Sequence, residues 1–161
     1  MTSIDRNLSN QANTLTKTSY SLLYINELLI KLLPKDAQQE DLFNLYEQFL
    51  KKVNNDSKLE LTLRHFELDL LDMLGYGFDY DSEIDNQKPI EINSSYLFVS
   101  ERGFRKSNNS NFLGKDILSL KNRNLEEVPL KYLKEITTKA INSCLDGRDL
   151  TNRKIFRTIK Q

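Results

Sequence analysis

The sequence predicts a mainly α protein, a helical bundle carrying a small β-hairpin insert. Three observations predict it. Apolar residues recur at three- and four-residue spacing through three successive segments before Gly75. Gly and Pro punctuate the stretch that follows, around one short apolar run. Helical spacing then resumes after Pro129.

The first helix is predicted from about Ser19 to Leu33. Leu22, Ile25, Leu29, Leu32 and Leu33 share one face, and Pro34 stops it because proline has no N–H to continue the ladder. The second runs from about Gln38 to Val53 on Leu42, Leu45, Tyr46, Phe49 and Val53, and the polar Asn54-Asn55-Asp56-Ser57 ends it. The third, about Leu59 to Leu74, closes at Gly75, a residue suited to a left-handed cap. Its main stripe is Leu59, Leu63, Phe66, Leu70, Met73 and Leu74, with a second of Leu61, Leu68 and Leu71. A helix apolar nearly all round belongs at the centre.

Between Tyr76 and Asn111, Tyr96-Leu97-Phe98-Val99 reads as a strand and Ser100–Gly103 as a turn into Phe104, giving a hairpin. Ser107–Asn111 is a polar loop, and a short helix with Ile117 and Leu118 follows Gly114. After Pro129, Leu133, Ile136, Ala140 and Cys144 trace a helix face that Gly147 ends, and Thr151 caps a last short helix with Ile155, Phe156 and Ile159. Residues 1–18 read as an N-terminal extension, and 19–161 as a helical domain with its insert at about 78–111.

Composition bounds the function. With 161 residues, 39% hydrophobic and 29% charged, the chain has the make-up of a folded, soluble domain. No apolar run approaches the roughly 18 residues of a membrane span; Leu22–Leu33 is broken by Asn26, Glu27 and Lys31. Met1-Thr2-Ser3-Ile4-Asp5 lacks the marks of a signal peptide, and the single Cys144 suits a reducing compartment, so a cytoplasmic location is expected. A formal net charge of zero hides a split: residues 1–85 carry −7 and residues 86–161 carry +7. Either the basic half faces a polyanion or the halves attract each other.

Catalytic and metal chemistry lack their residues. One His (His65) and one Cys (Cys144) cannot assemble a zinc site of Cys and His ligands. His65 reads as a partly exposed packing residue and Cys144 as a small buried hydrophobe. Gly75-Tyr76-Gly77 lacks the third Gly and the strand-before-helix setting of a phosphate loop. Asp79, Asp81, Glu83 and Asp85 alternate like calcium ligands, but Ile84 stands where the turn needs Gly and Ile90 where the loop needs its closing Glu. That stretch reads as a solvated acidic turn. No catalytic residue, metal or cofactor is expected.

Three stretches in order carry a family resemblance. Tyr24-Ile25-Asn26-Glu27-Leu28-Leu29 is followed by Leu42-Phe43-Asn44-Leu45-Tyr46. Leu63-Arg64-His65-Phe66-Glu67-Leu68 is followed by Leu74-Gly75-Tyr76-Gly77. The tail runs Leu145-Asp146-Gly147-Arg148-Asp149-Leu150-Thr151-Asn152-Arg153-Lys154-Ile155-Phe156-Arg157. From about Ser21 onward the chain resembles the C-terminal helical domain of the RecO family. The resemblance implies a non-catalytic mediator of recombinational repair that binds and anneals single-stranded DNA, pairs with RecR and helps load RecA. It also implies contact with the acidic, aromatic-ended C-terminal tail of single-strand-binding protein. Family members begin with an oligonucleotide-binding barrel. Met1 stands just before the first helix of the second domain, so weakened DNA affinity is expected. Relatives that carry zinc in the insert would place a first Cys at Glu83, so here the hairpin is expected to hold by packing.

Two candidate sites follow. Arg64, flanked at helical spacing by Leu61, Leu68 and Leu71, would offer a guanidinium beside an apolar groove, matched to a peptide with a terminal carboxylate and an aromatic ring. Otherwise Arg64 pairs with Glu60 or Glu67. Arg148, Arg153, Lys154, Arg157 and Lys160 form a basic run suited to phosphates, or one docked by Ile155, Phe156 and Ile159 with its charges in water. The alternative function is a helical protein–protein interaction module with no DNA-binding role of its own.

Overall fold

The computed structural model describes residues 3–33, 40–53, 58–110 and 112–152, with the side chains of the first helix from Leu15 onward. It is mainly α: helices α1 (Ser3–Leu32), α2 (Glu40–Val53), α3 (Leu59–Met73), α4 (Gly114–Lys121) and α5 (Leu130–Cys144), with strands β1 (Tyr96–Val99) and β2 (Gly103–Lys106) between α3 and α4. A 3-10 turn at Leu125–Glu127, which the sequence reading did not anticipate, links α4 to α5.

α1 begins at Ser3, well before the predicted Ser19. The stretch before Ser19 is rich in Ser, Asn and Thr, residues of modest helix propensity, which hid the helix from pattern reading. Its packed face is Thr18, Ser21, Tyr24, Ile25 and Leu28, all buried. α2 carries Glu40 and Asp41 in its first turn and Lys51 and Lys52 in its last, each matched to the helix dipole, and it buries Leu42, Phe49 and Val53.

α3 lies at the centre, packing against α2 on one side and α5 on another. Phe66 and Leu70 of one stripe and Leu68 and Leu71 of the other are all 2% exposed or less. The Phe49 and Phe66 rings meet at 5.0 Å across α2 and α3. The helix ends as predicted: Gly75 takes φ +78, the Tyr76 N–H donates to Leu71 O and the Gly75 N–H to Asp72 O. Met73, placed on the main stripe by spacing, is 43% exposed because it lies in the last turn, beyond the packed neighbours.

β1 and β2 pair antiparallel with Phe98 opposite Phe104 and Val99 opposite Gly103. A two-stranded sheet needs a second layer, and aromatic side chains supply it. Phe104, fully buried, meets the rings of Phe78, Tyr80, Phe98 and Phe112 at 5.5–6.1 Å, and Phe112 carries the cluster on to Tyr132 of α5. The acidic stretch before the hairpin is less solvated than its composition suggested. Glu83 is 4% exposed; its carboxylate accepts from Asn86 Nδ2 and the Lys106 N–H, and the Ile84 N–H donates to Phe104 O. Asp79, Asp81 and Asp85 meet the Asp81 N–H, Lys121 and Arg105. Among the described residues no group of three or more His, Cys, Asp or Glu could hold a metal ion, and no helix is long and apolar enough to cross a membrane.

Gly114 opens α4 because nothing larger fits: a Cβ there would lie 2.1 Å from Glu91 O. Gly114→Ala is expected to lower stability by about 1–3 kcal/mol through forced backbone displacement, read from urea unfolding. An unchanged midpoint would mean that this contact relaxes freely.

Candidate partner-docking groove

The structure separates the four side chains that spacing had grouped. Arg64 is turned inward and is only 6% exposed. Its guanidinium Nη1 donates to Glu67 Oε2 at 2.5 Å and to Thr137 Oγ1 of α5 at 2.8 Å. Glu67, fully buried, also accepts from the Tyr24 hydroxyl of α1 at 2.6 Å. Leu68 and Leu71 are buried, so the furrow expected beside Arg64 is filled by the protein's own core. The predicted exposed guanidinium is therefore corrected: Arg64 belongs to a polar knot joining α1, α3 and α5. The physical reason is that its stripe faces α1 and α5, and a buried arginine must find a carboxylate. Arg64 Nε finds no acceptor among the described residues.

Leu61 alone of the four lines an open cavity, on the other side of α3. This groove, about 220 Å³, lies between α2, α3 and the 3-10 turn. Leu45, Phe49, Leu61 and Phe66 give it apolar walls, and Lys52, Lys58 and His65 give it nitrogen donors. Leu61, His65 and Asp69 follow one another at four-residue spacing, which sets them on one face of α3. Burial lowers the His65 pKa below its ordinary value, against the opposing pull of Asp69 and Glu126, so at neutral pH the ring offers one N–H and no charge. Lys58 meets Glu126 at 3.6 Å, both well exposed, a contact of little strength that a stronger anion can displace. The arrangement can take an apolar ring into the walls and an acidic group at the rim.

Sequence reasoning missed Lys52, Lys58 and His65 as site residues. The signal present was the i, i+4 relation of Leu61 and His65; which helix face stays open was not in it. It also missed Arg123, held at φ +59, whose Nε reaches Asp69 at 2.9 Å and which meets Asp72 and the Tyr80 hydroxyl. Burial disfavours the Arg123 charge, yet Tyr80, Asp69 and Asp72 together raise its pKa above the ordinary value. That contact ties the insert to α3 close to the groove.

Of the basic run, only Arg148 lies among the described residues; Arg153, Lys154, Arg157 and Lys160 lie outside them, as do Ile155, Phe156 and Ile159. Arg148 is exposed, but its guanidinium donates to Leu145 O at 2.9 Å and to Lys31 O at 2.5 Å, closing the ends of α5 and α1. Cys144 is buried, and burial followed by the nearby Glu101 pushes its thiol up to about 11, which leaves it unreactive.

Residues 14–145 match the family described as "Recombination protein O C terminal". The chain is 36% identical to DNA repair protein RecO of Pectobacterium atrosepticum over 143 residues, 86% of this chain and 58% of that protein. It is 35% identical to DNA repair protein RecO of Coxiella burnetii over 138 residues, 83% and 59% of the two chains. A third relative, DNA repair protein RecO of Serratia proteamaculans, is 35% identical over 143 residues, 86% and 59%. The chain thus spans under three fifths of the length of these relatives.

Proposed function

This chain belongs to the RecO family of DNA-repair and recombination proteins, and on that premise we propose that it is a non-catalytic mediator whose helical domain receives a partner's acidic, aromatic-ended tail in the groove between α2 and α3. The observation that carries the reading is the pairing of apolar walls (Leu45, Phe49, Leu61, Phe66) with two exposed lysines (Lys52, Lys58) in one cavity, whose lining carboxylates Asp69 and Glu126 already meet Arg123 and Lys58. An aromatic ring gains by burial, while the terminal carboxylate and neighbouring acids gain at the rim. The C-terminal tail of single-strand-binding protein has that chemistry.

Partnership with RecR, strand annealing and help in loading RecA complete the role that the family relation suggests. DNA contact is assigned to the basic run from Arg148 to Lys160, in which Arg148 serves as much to close α1 and α5 as to meet phosphate. That double duty favours a DNA contribution weaker than the protein contact. Location with DNA in the cytoplasm follows from the role.

The test is a titration of the intact chain with an acidic peptide ending in Phe. Lys52 and Lys58 are exposed, so charge reversal leaves the core alone. Lys52→Glu combined with Lys58→Glu is expected to weaken binding about tenfold or more, with most of the loss reproduced by raising salt. Equal binding by wild type and double variant, or no binding by wild type, would overturn the reading.

A further inference from the structure

Two carboxylates among the described residues, Asp69 and Glu126, line the groove between α2, α3 and the 3-10 turn, and they are held in opposite ways. Asp69 meets Arg123 Nε at 2.9 Å, and that arginine side chain is only 25% exposed. The same guanidinium also meets Asp72 and the Tyr80 hydroxyl. Several charge-assisted contacts on a half-buried arginine hold Asp69 as a fixed part of the wall. Glu126 and Lys58 instead stand 3.6 Å apart, with side chains 60% and 59% exposed. That separation exceeds an ordinary hydrogen bond and lies open to water and salt. Theirs is the exchangeable pair.

The fold keeps the Glu126 charge in place. Glu126 is the middle residue of the turn Leu125–Glu127. Leu125 before it is fully buried, and Val128 after the turn is 4% exposed, so the backbone is pinned on both sides. The neighbouring Glu127 carboxylate is drawn the other way, accepting from Ser119 Oγ of α4 at 2.7 Å. Its own N–H first, and then the Lys58 ammonium, hold the Glu126 carboxyl below its ordinary value, so it is ionised at neutral pH. The same charge is felt by the groove-lining His65 ring.

We propose that Glu126 is the groove's resident counter-ion: its carboxylate holds the place at Lys58 that a partner's acidic group takes over, and it swings aside when that group arrives. The inference rests on the docking role proposed above. An entering acid meets a cation already paired and a like charge beside it, and both weaken its hold. The apolar walls are untouched by this exchange, so the ring of the partner's tail keeps its burial.

Titration of the intact chain at low salt with an acidic peptide ending in Phe reads the exchange. Glu126→Gln, which keeps the shape and removes the charge, is expected to tighten binding about threefold to tenfold, a gain that added salt shrinks. Glu135→Gln removes an exposed acid from α5 outside the groove and is expected to change binding less than about twofold. Lys58→Gln is expected to cost more in the Glu126→Gln background than in the wild type, because Lys58 then no longer serves Glu126. Equal or weaker binding by Glu126→Gln, with the wild type binding, would overturn the resident counter-ion and leave the docking groove standing. An equal gain from Glu135→Gln would overturn it as well, since net charge alone would then explain the result. Binding by neither the wild type nor Glu126→Gln would overturn the groove itself and the inference with it.

Discussion

Arg64→Ala is expected to cost about 3–5 kcal/mol of folding stability, the range for removing one partner of a buried ion pair. The cost arises from what is left behind. Glu67 is fully buried between α1 and α5, and without the guanidinium its carboxylate keeps only the Tyr24 hydroxyl at 2.6 Å. An anion in that setting either stays unpaired or takes up a proton, and both options weaken the folded state. The Thr137 hydroxyl loses its partner at the same time. Replacing both ionic members with apolar side chains, Arg64→Met with Glu67→Met, is expected to recover much of the loss, since the uncompensated charge is gone. Denaturant unfolding of the three variants checks this. A single Arg64→Ala change within about 0.5 kcal/mol of wild type would show that water reaches Glu67 freely. Because Arg64 is structural, any loss of peptide binding in such a variant would report lost folding stability and carry no information about contact.

Phe104→Ala is the second large effect, expected at about 3–5 kcal/mol from lost transfer energy plus a cavity the hairpin cannot fill. Phe104 is the hub of the insert: its ring meets Phe78, Tyr80, Phe98 and Phe112, and its carbonyl accepts from the Ile84 N–H. Two strands of four residues are too small to stand without this apolar layer. The tied-down Glu83 would lose its cover at the same time, so the hairpin and the 78–90 segment are expected to loosen together. Near-ultraviolet circular dichroism reports the aromatic cluster and urea unfolding the stability; a loss below about 1 kcal/mol would show that the other rings close the gap.

The helices, the hairpin and the left-handed cap at Gly75 were legible in the sequence because they rest on local signals: apolar spacing, a glycine after the last periodic residue, an alternating run before a turn. What was illegible was which face of α3 meets its neighbours. Both stripes are apolar, so spacing placed Arg64 with Leu61, Leu68 and Leu71 without saying that three of the four turn inward. The partner Glu67, three residues on, was visible as an alternative. Tyr24 and Thr137, 43 and 73 residues away from Glu67 and Arg64, come within reach only in the folded chain. The groove is legible only after folding, since Lys52 and Lys58 approach His65 through the packing of α2 on α3. The start of α1 was missed for a different reason: its early residues favour helix too weakly for pattern reading to register.

The account turns on where an acidic, aromatic-ended peptide settles on this domain. Backbone amide shifts of the intact, isotope-labelled chain, followed during titration with an acidic peptide ending in Phe, locate it directly. The largest changes are predicted at Lys52, Lys58, Leu61 and His65, with Arg64 and Glu67 side-chain contacts retained. Changes centred elsewhere, on the insert or on α1, with the α2–α3 groove unaffected, would contradict it.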